Sequence, residues 1–123
     1  MNSEILRGIG LVSALMLAAC GQKEISFKTD VQPIIQQYCL ECHSEKGEGT
    51  EKSGLLMSSY ANLMKGTRFG AIVKPGDSLS SALNMLVEGR AAPSIRMPHQ
   101  KTALPKEKID TLKKWVDQGA KNN

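Results

Sequence analysis

Five consecutive residues, Cys39-Leu40-Glu41-Cys42-His43, constrain this chain more than any other feature. Two thiols three positions apart, followed at once by an imidazole, form the C-x-x-C-H pattern of covalent haem attachment. The spacing has a mechanical reason. Haem carries two vinyl groups along one side, and thiols so placed can each form a thioether with one of them. The histidine next in the chain then lies beneath the iron and offers a ring nitrogen as axial ligand. The expectation is one haem c held through Cys39 and Cys42, with His43 on the metal. Rival readings of the five residues are weaker. A thioredoxin-like C-x-x-C wants a βαβ setting, and no stretch alternates with period two. A tetrahedral zinc site would have to draw on Cys39, Cys42, His43 and His99, and His43 is poorly placed to close a shell beside its neighbour Cys42. A disulfide between Cys39 and Cys42 is cramped.

The amino-terminal stretch points to the compartment that such attachment requires. Arg7 precedes an apolar run from Ile9 to Ala19, eleven residues long. A bilayer span needs about 20 apolar residues, so this run is too short to cross and fits the h-region of a secretory signal peptide. Leu17-Ala18-Ala19-Cys20 resembles the lipobox of bacterial lipoproteins, in which the cysteine is diacylated and becomes the first mature residue. That assignment accounts for the odd cysteine: of three, two serve the haem motif and Cys20 takes the lipid. Residues 1–19 are thus expected to be a lipoprotein signal peptide, 20–26 a polar tether beginning at the lipidated Cys20, and 27–121 one domain. Gly21 after the cysteine, where Asp would favour retention, inclines the expected location to the outer membrane, on the periplasmic side.

Three helices are legible from periodicity. Val31, Ile34, Ile35 and Tyr38 form one apolar stripe, with Thr29 or Asp30 as cap and Pro33 in the first turn. A second helix is predicted from about Ser78 to Glu88, with Leu79, Ala82, Leu83 and Leu86 inward, Asp77 or Ser78 as cap, and Gly89 ending it. A third starts near Pro105, turns Ile109, Leu112, Trp115 and Val116 inward, and stops at Gly119. Asp110 and Lys114 can pair on its outer face. Between these, the glycine-rich, charged stretch from Glu45 to Gly54 reads as an exposed, irregular loop. Ser58 to Lys65 is expected to hold a short helical turn, and Gly89 to Leu104, with Pro93 and Pro98, to be extended. The fold class is all-α. Aromatic residues make up only 4% of the chain, and a large apolar cofactor would supply core that so small a domain lacks.

For the second axial position the residues offer Met57, Met64, Met85, Met97 and His99. A helical methionine such as Met85 is commonly core filler. Met97 sits in Ile95-Arg96-Met97-Pro98, a proline-bounded loop far downstream of His43. From residues alone, Met97 reads equally as a ligand and as an exposed loop methionine. Arg68 and Arg96 are candidates to bond haem propionates, though each reads first as a surface arginine.

From Phe27 to Ala120 the chain resembles the planctomycete-type cytochrome c domain, a branch of the class I cytochromes c. The resemblance rests on Val31-Gln32-Pro33-Ile34, the Cys39 to His43 motif, Ser53-Gly54-Leu55, Lys65-Gly66, Val73-Lys74-Pro75-Gly76-Asp77, Ser81, Met97-Pro98, Leu104, Ile109, Trp115-Val116 and Gly119-Ala120. It implies three main helices around one covalent haem, with the first and last crossing beside it and Trp115 near the crossing. It also implies Met97 as sixth ligand. His99 stands where the family often has a second proline, which keeps a His/His pair as the alternative.

An iron with both axial positions filled by protein has one-electron exchange as its accessible chemistry, and methionine ligation raises its potential. The expected function is a monohaem electron carrier in an extracytoplasmic chain, not an enzyme. Its partners would be redox proteins met through transient contacts and the membrane reached through Cys20, with no nucleic acid. The alternative is a haem-based ligand sensor or weak peroxidase with an open sixth position. Charge is unevenly spread: Glu41, Glu45, Glu48 and Glu51 crowd the motif, while Lys101, Lys106, Lys108, Lys113, Lys114 and Lys121 crowd the C-terminal part. Such runs solvate a surface, and a dipolar carrier could also be steered by them.

Overall fold

The structure, a computed structural model, describes residues 21–123. The expected signal peptide, residues 1–19, and Cys20 lie outside the described residues. The domain is all-α: among the described residues the only β feature is an isolated bridge between Thr67 and Gly70.

The first helix begins earlier than its stripe suggests. A π-helical turn over Phe27–Val31 runs into α1, Gln32–Tyr38. The cap is therefore Ser26, not Thr29 or Asp30. Its hydroxyl accepts from the Thr29 amide at 3.2 Å, and the Asp30 carboxylate accepts from the Ser26 amide at 2.8 Å, a reciprocal box that satisfies two free donors. Val31, Ile34 and Ile35 are buried as the stripe requires, and Tyr38 is half-buried. After Cys39 the chain makes one further turn, α2, Leu40–His43.

The stretch expected to be an exposed loop is instead partly a helix, α3, Glu48–Ser53, closed by Gly54 with φ 77°. Its glycines serve close approach. A Cβ on Gly47 would lie 2.3 Å from the Cys42 carbonyl oxygen, and one on Gly49 would lie 2.8 Å from the His43 ring. Glycine content signals an irregular loop; here it permits a helix to dock closely onto the motif.

A short helix, α4, Tyr60–Lys65, follows where a helical turn was expected. The next helix, α5, spans Ala82–Val87 and is shorter than the predicted 78–88. The capping side chains are committed elsewhere. Asp77 holds the Ser80 amide, Ser81 bonds the Lys74 amide and the Asp77 carbonyl, and the Ser78 amide is held by Asp117 at 3.0 Å. Residues 78–80 therefore form a turn, and Leu79, expected inward, is 72% exposed. Beyond Gly89, the loop expected to be extended includes a 3₁₀ turn, Pro93–Ile95.

The last helix, α6, Lys106–Asp117, buries Leu112, Trp115 and Val116, each such burial contributing about 1.5–3 kcal/mol. Its outer-face pairs are Lys106 with Asp110 and Lys113 with Asp117, in place of the expected Asp110 with Lys114. The N-terminal turn packs on α6 through Phe27 and Trp115, whose ring centroids are 5.6 Å apart. Tyr60 completes the aromatic group, 5.2 Å from Phe27 and edge-on. The Trp115 indole donates to the Lys121 carbonyl at 3.0 Å, so its one polar atom is satisfied. First and last helical segments thus meet at Trp115, as the resemblance implies. Among the described residues no helix is long and apolar enough to cross a membrane.

Candidate functional site

The turn from α1 into α2 sets Cys39, Cys42 and His43 on the wall of one cavity of about 310 Å³. The rest of the lining is mostly apolar. Leu55 and Met57 come from the chain after α3, Leu83, Leu86 and Val87 from α5, and Leu104 from the approach to α6. Met97 and His99 line it too, on the segment after the 3₁₀ turn. Charged groups, Glu41, Glu48, Lys52 and Lys101, also border it.

His43 is buried and held in one orientation. Its Nδ1 lies 3.1 Å from the Leu55 carbonyl oxygen. A carbonyl only accepts, so Nδ1 carries the proton and the lone pair falls on Nε2, the arrangement expected of a metal-ligating histidine. Three more contacts hold this side of the ring. The Met57 amide donates to the His43 carbonyl at 2.9 Å, Ser53 accepts from the Leu55 amide at 3.1 Å, and Gly49 lies against the ring. Residues 47–57 form a strap across the histidine, and none of Gly47, Gly49, Thr50 or Leu55 was singled out for it from sequence.

Both motif thiols are half-buried and unpaired among the described residues. Burial, and after it the Cys42 thiol alongside, push the Cys39 thiol up to about 11 from 9.0. Redox-active C-x-x-C thiols are tuned the other way, toward the thiolate. Nor do three or more of the described His, Cys, Asp and Glu residues converge as a zinc shell would need. An apolar cavity bearing two thiols and an oriented imidazole does fit a flat macrocycle joined through sulfur.

Of the five candidates for the second axial position, Met57, Met97 and His99 line the cavity, and Met64 and Met85 do not. Met97 is half-buried and packs against the core, whereas His99 is exposed. Met57 lies in the strap on the histidine's own side. Arg68 and Arg96 are not on the cavity wall; the Arg68 guanidinium donates to the Glu51 carbonyl, and that of Arg96 lies beside Gly89.

A family model described as planctomycete cytochrome C matches residues 39–100, half of the chain. The match opens on the first motif cysteine and takes in the strap, α5 and the segment holding Met97 and His99; α1 and α6 fall outside it. No curated protein and no solved structure gave a match.

Proposed function

The chain belongs to the planctomycete cytochrome c family, a family of haem-binding electron carriers, and from that premise we propose that it is a monohaem carrier working outside the cytoplasm. One observation carries the reading: Cys39, Cys42, His43 and Met97 all face a single apolar cavity. One C-x-x-C-H motif supports one haem. Bound haem c supplies one-electron exchange at its iron.

The residues divide the work. Cys39 and Cys42 hold the porphyrin by thioethers. His43, its proton fixed on Nδ1 by Leu55, presents Nε2 to the iron. Met97, on the cavity wall, would hold the iron as a second protein ligand, which would exclude substrate from the metal and favours a carrier over an enzyme. The apolar walls keep water from the ring, which together with methionine raises the potential. Cys20 carries the lipid, residues 20–26 form the tether, and 27–121 form the redox domain, held on the periplasmic side with the outer membrane favoured. Partners meet it briefly, steered by its uneven charge.

Ferric and ferrous spectra of the protein, purified from a strain competent in haem maturation, test the reading. The expected result is a c-type spectrum, colour that acidified organic solvent does not extract, and a mass increase of one haem. Extractable colour, or the mass of the bare chain, defeats it. Rapid and complete carbon monoxide binding at neutral pH would favour the open-site sensor or peroxidase. Incorporation of labelled fatty acid that is lost in Cys20→Ser tests the anchor.

A further inference from the structure

The carbonyl that orients His43 serves a second donor. Leu55 O accepts from His43 Nδ1 at 3.1 Å and from the Thr50 hydroxyl at 2.8 Å. The hydroxyl comes from within α3, and the left-handed turn at Gly54 folds the chain back so that Leu55 O faces both groups. Both lone pairs of that oxygen are thus engaged. Thr50 itself is not on the cavity wall, and its hydroxyl reaches His43 through the Leu55 carbonyl.

We infer that Thr50 is a positioning residue that tunes the iron through this shared carbonyl. An oxygen that accepts from two donors offers each of them less electron density than it would offer one. The bond at His43 Nδ1 is therefore weaker than an unshared carbonyl would make it. A histidine whose N–H is more weakly bound has less imidazolate character and is a poorer donor to its metal. A poorer donor stabilises the ferric state less, so the Thr50 hydroxyl raises the reduction potential, in the same direction as methionine ligation.

The inference rests on His43 being an iron ligand, as proposed above. The test is redox titration of the holoprotein, paired with the proton chemical shift of His43 Nδ1–H in the ferrous state. Thr50→Val keeps the shape of the side chain and removes the donor; Thr50→Ala removes it in a residue that favours helix; Thr50→Ser keeps it. Both donor-less variants are expected to oxidise more readily, by about threefold in the equilibrium constant, or about 28 mV at 59 mV per tenfold for one electron. The Nδ1 proton should move downfield in the same two variants, and Thr50→Ser should match the parent in both readouts. A potential that is unchanged or raised in a folded, covalently loaded Thr50→Val or Thr50→Ala overturns the inference. Failure of the parent reading looks different: the parent protein would lack a histidine-ligated c-type spectrum altogether.

Discussion

Lys101 pairs with Glu41, joining the loop just past Met97 to the middle of the cysteine motif. The two ends of this contact belong to the acidic and basic runs that the sequence displays, so part of that charge is neutralised by the fold. The pair is solvent-exposed, and exposed pairs contribute little to stability. Lys101→Gln is expected to leave the thermal midpoint within the scatter of replicate melts while altering the salt dependence of electron exchange with a charged partner. A large loss of thermal stability would show that the pair clamps the loop.

Two methionines on the cavity wall separate packing from ligation. Met57 is 4% exposed and belongs to the strap, so Met57→Ala should cost about 2–5 kcal/mol in denaturant unfolding and leave the ferric far-red thioether-to-iron band in place. Met97→Ala should abolish that band and open the ferrous protein to carbon monoxide. If Met97→Ala keeps the band, Met97 is not the ligand; if His99→Ala changes the axial spectrum in its place, the His/His pair is correct.

Asp117 is expected to make the domain sensitive to acid. Burial works to raise its carboxyl, but hydrogen bonds from Lys113 and from Ser78 outweigh this and bring it from 3.8 down to about 2. A carboxyl whose value is lower in the folded state contributes stability above its unfolded value that is lost as pH falls through the folded one. Between about pH 4 and pH 2, Asp117→Asn should therefore unfold with a shallower pH dependence than the parent, read by urea midpoints at each pH. Parallel curves would remove Asp117 from the acid response.

Asn84 is fully buried on α5, and neither of its amide atoms has a partner among the described residues. A buried polar group left unpaired costs about 1–3 kcal/mol, and an apolar side chain of similar size avoids that cost. Asn84→Leu is expected to raise stability by about 1 kcal/mol, measured as a shift in urea midpoint. A loss would mean that the amide is bonded through an internal water, with the unpartnered Glu88 carboxylate oxygen one turn away as its other contact.

The parts of the fold that could be read in advance are those written in short-range pattern. The stripe of Val31, Ile34 and Ile35, the end of α6 just before Gly119 and the C-x-x-C-H motif depend on spacing alone, and the domain is helical as that spacing predicts. What escaped depends on neighbours distant in sequence. Asp77 and Ser78 have the chemistry of helix caps, yet Ser78 is claimed by Asp117 from α6, and so α5 starts four residues late and Leu79 faces water. Gly47 and Gly49 carry the local signature of a loop. Only the nearness of the Cys42 carbonyl and the His43 ring shows why no side chain is tolerated there. The metal-ligand candidates were narrowed for the same reason, since membership of one cavity is a tertiary fact that separates Met57, Met97 and His99 from Met64 and Met85.

The strap across His43 is built wholly from the chain's own bonds: Leu55 to the ring, Met57 to the His43 backbone, Gly49 against the imidazole. The freedom of that ring is therefore surrendered in the folded chain, so that little would remain to be lost were it to bind a metal. Preorganisation of this kind tightens an association without adding a single contact to it. A chain with side chains forced into positions 47 and 49 would still bear Cys39, Cys42 and His43, yet would offer a metal a swivelling imidazole.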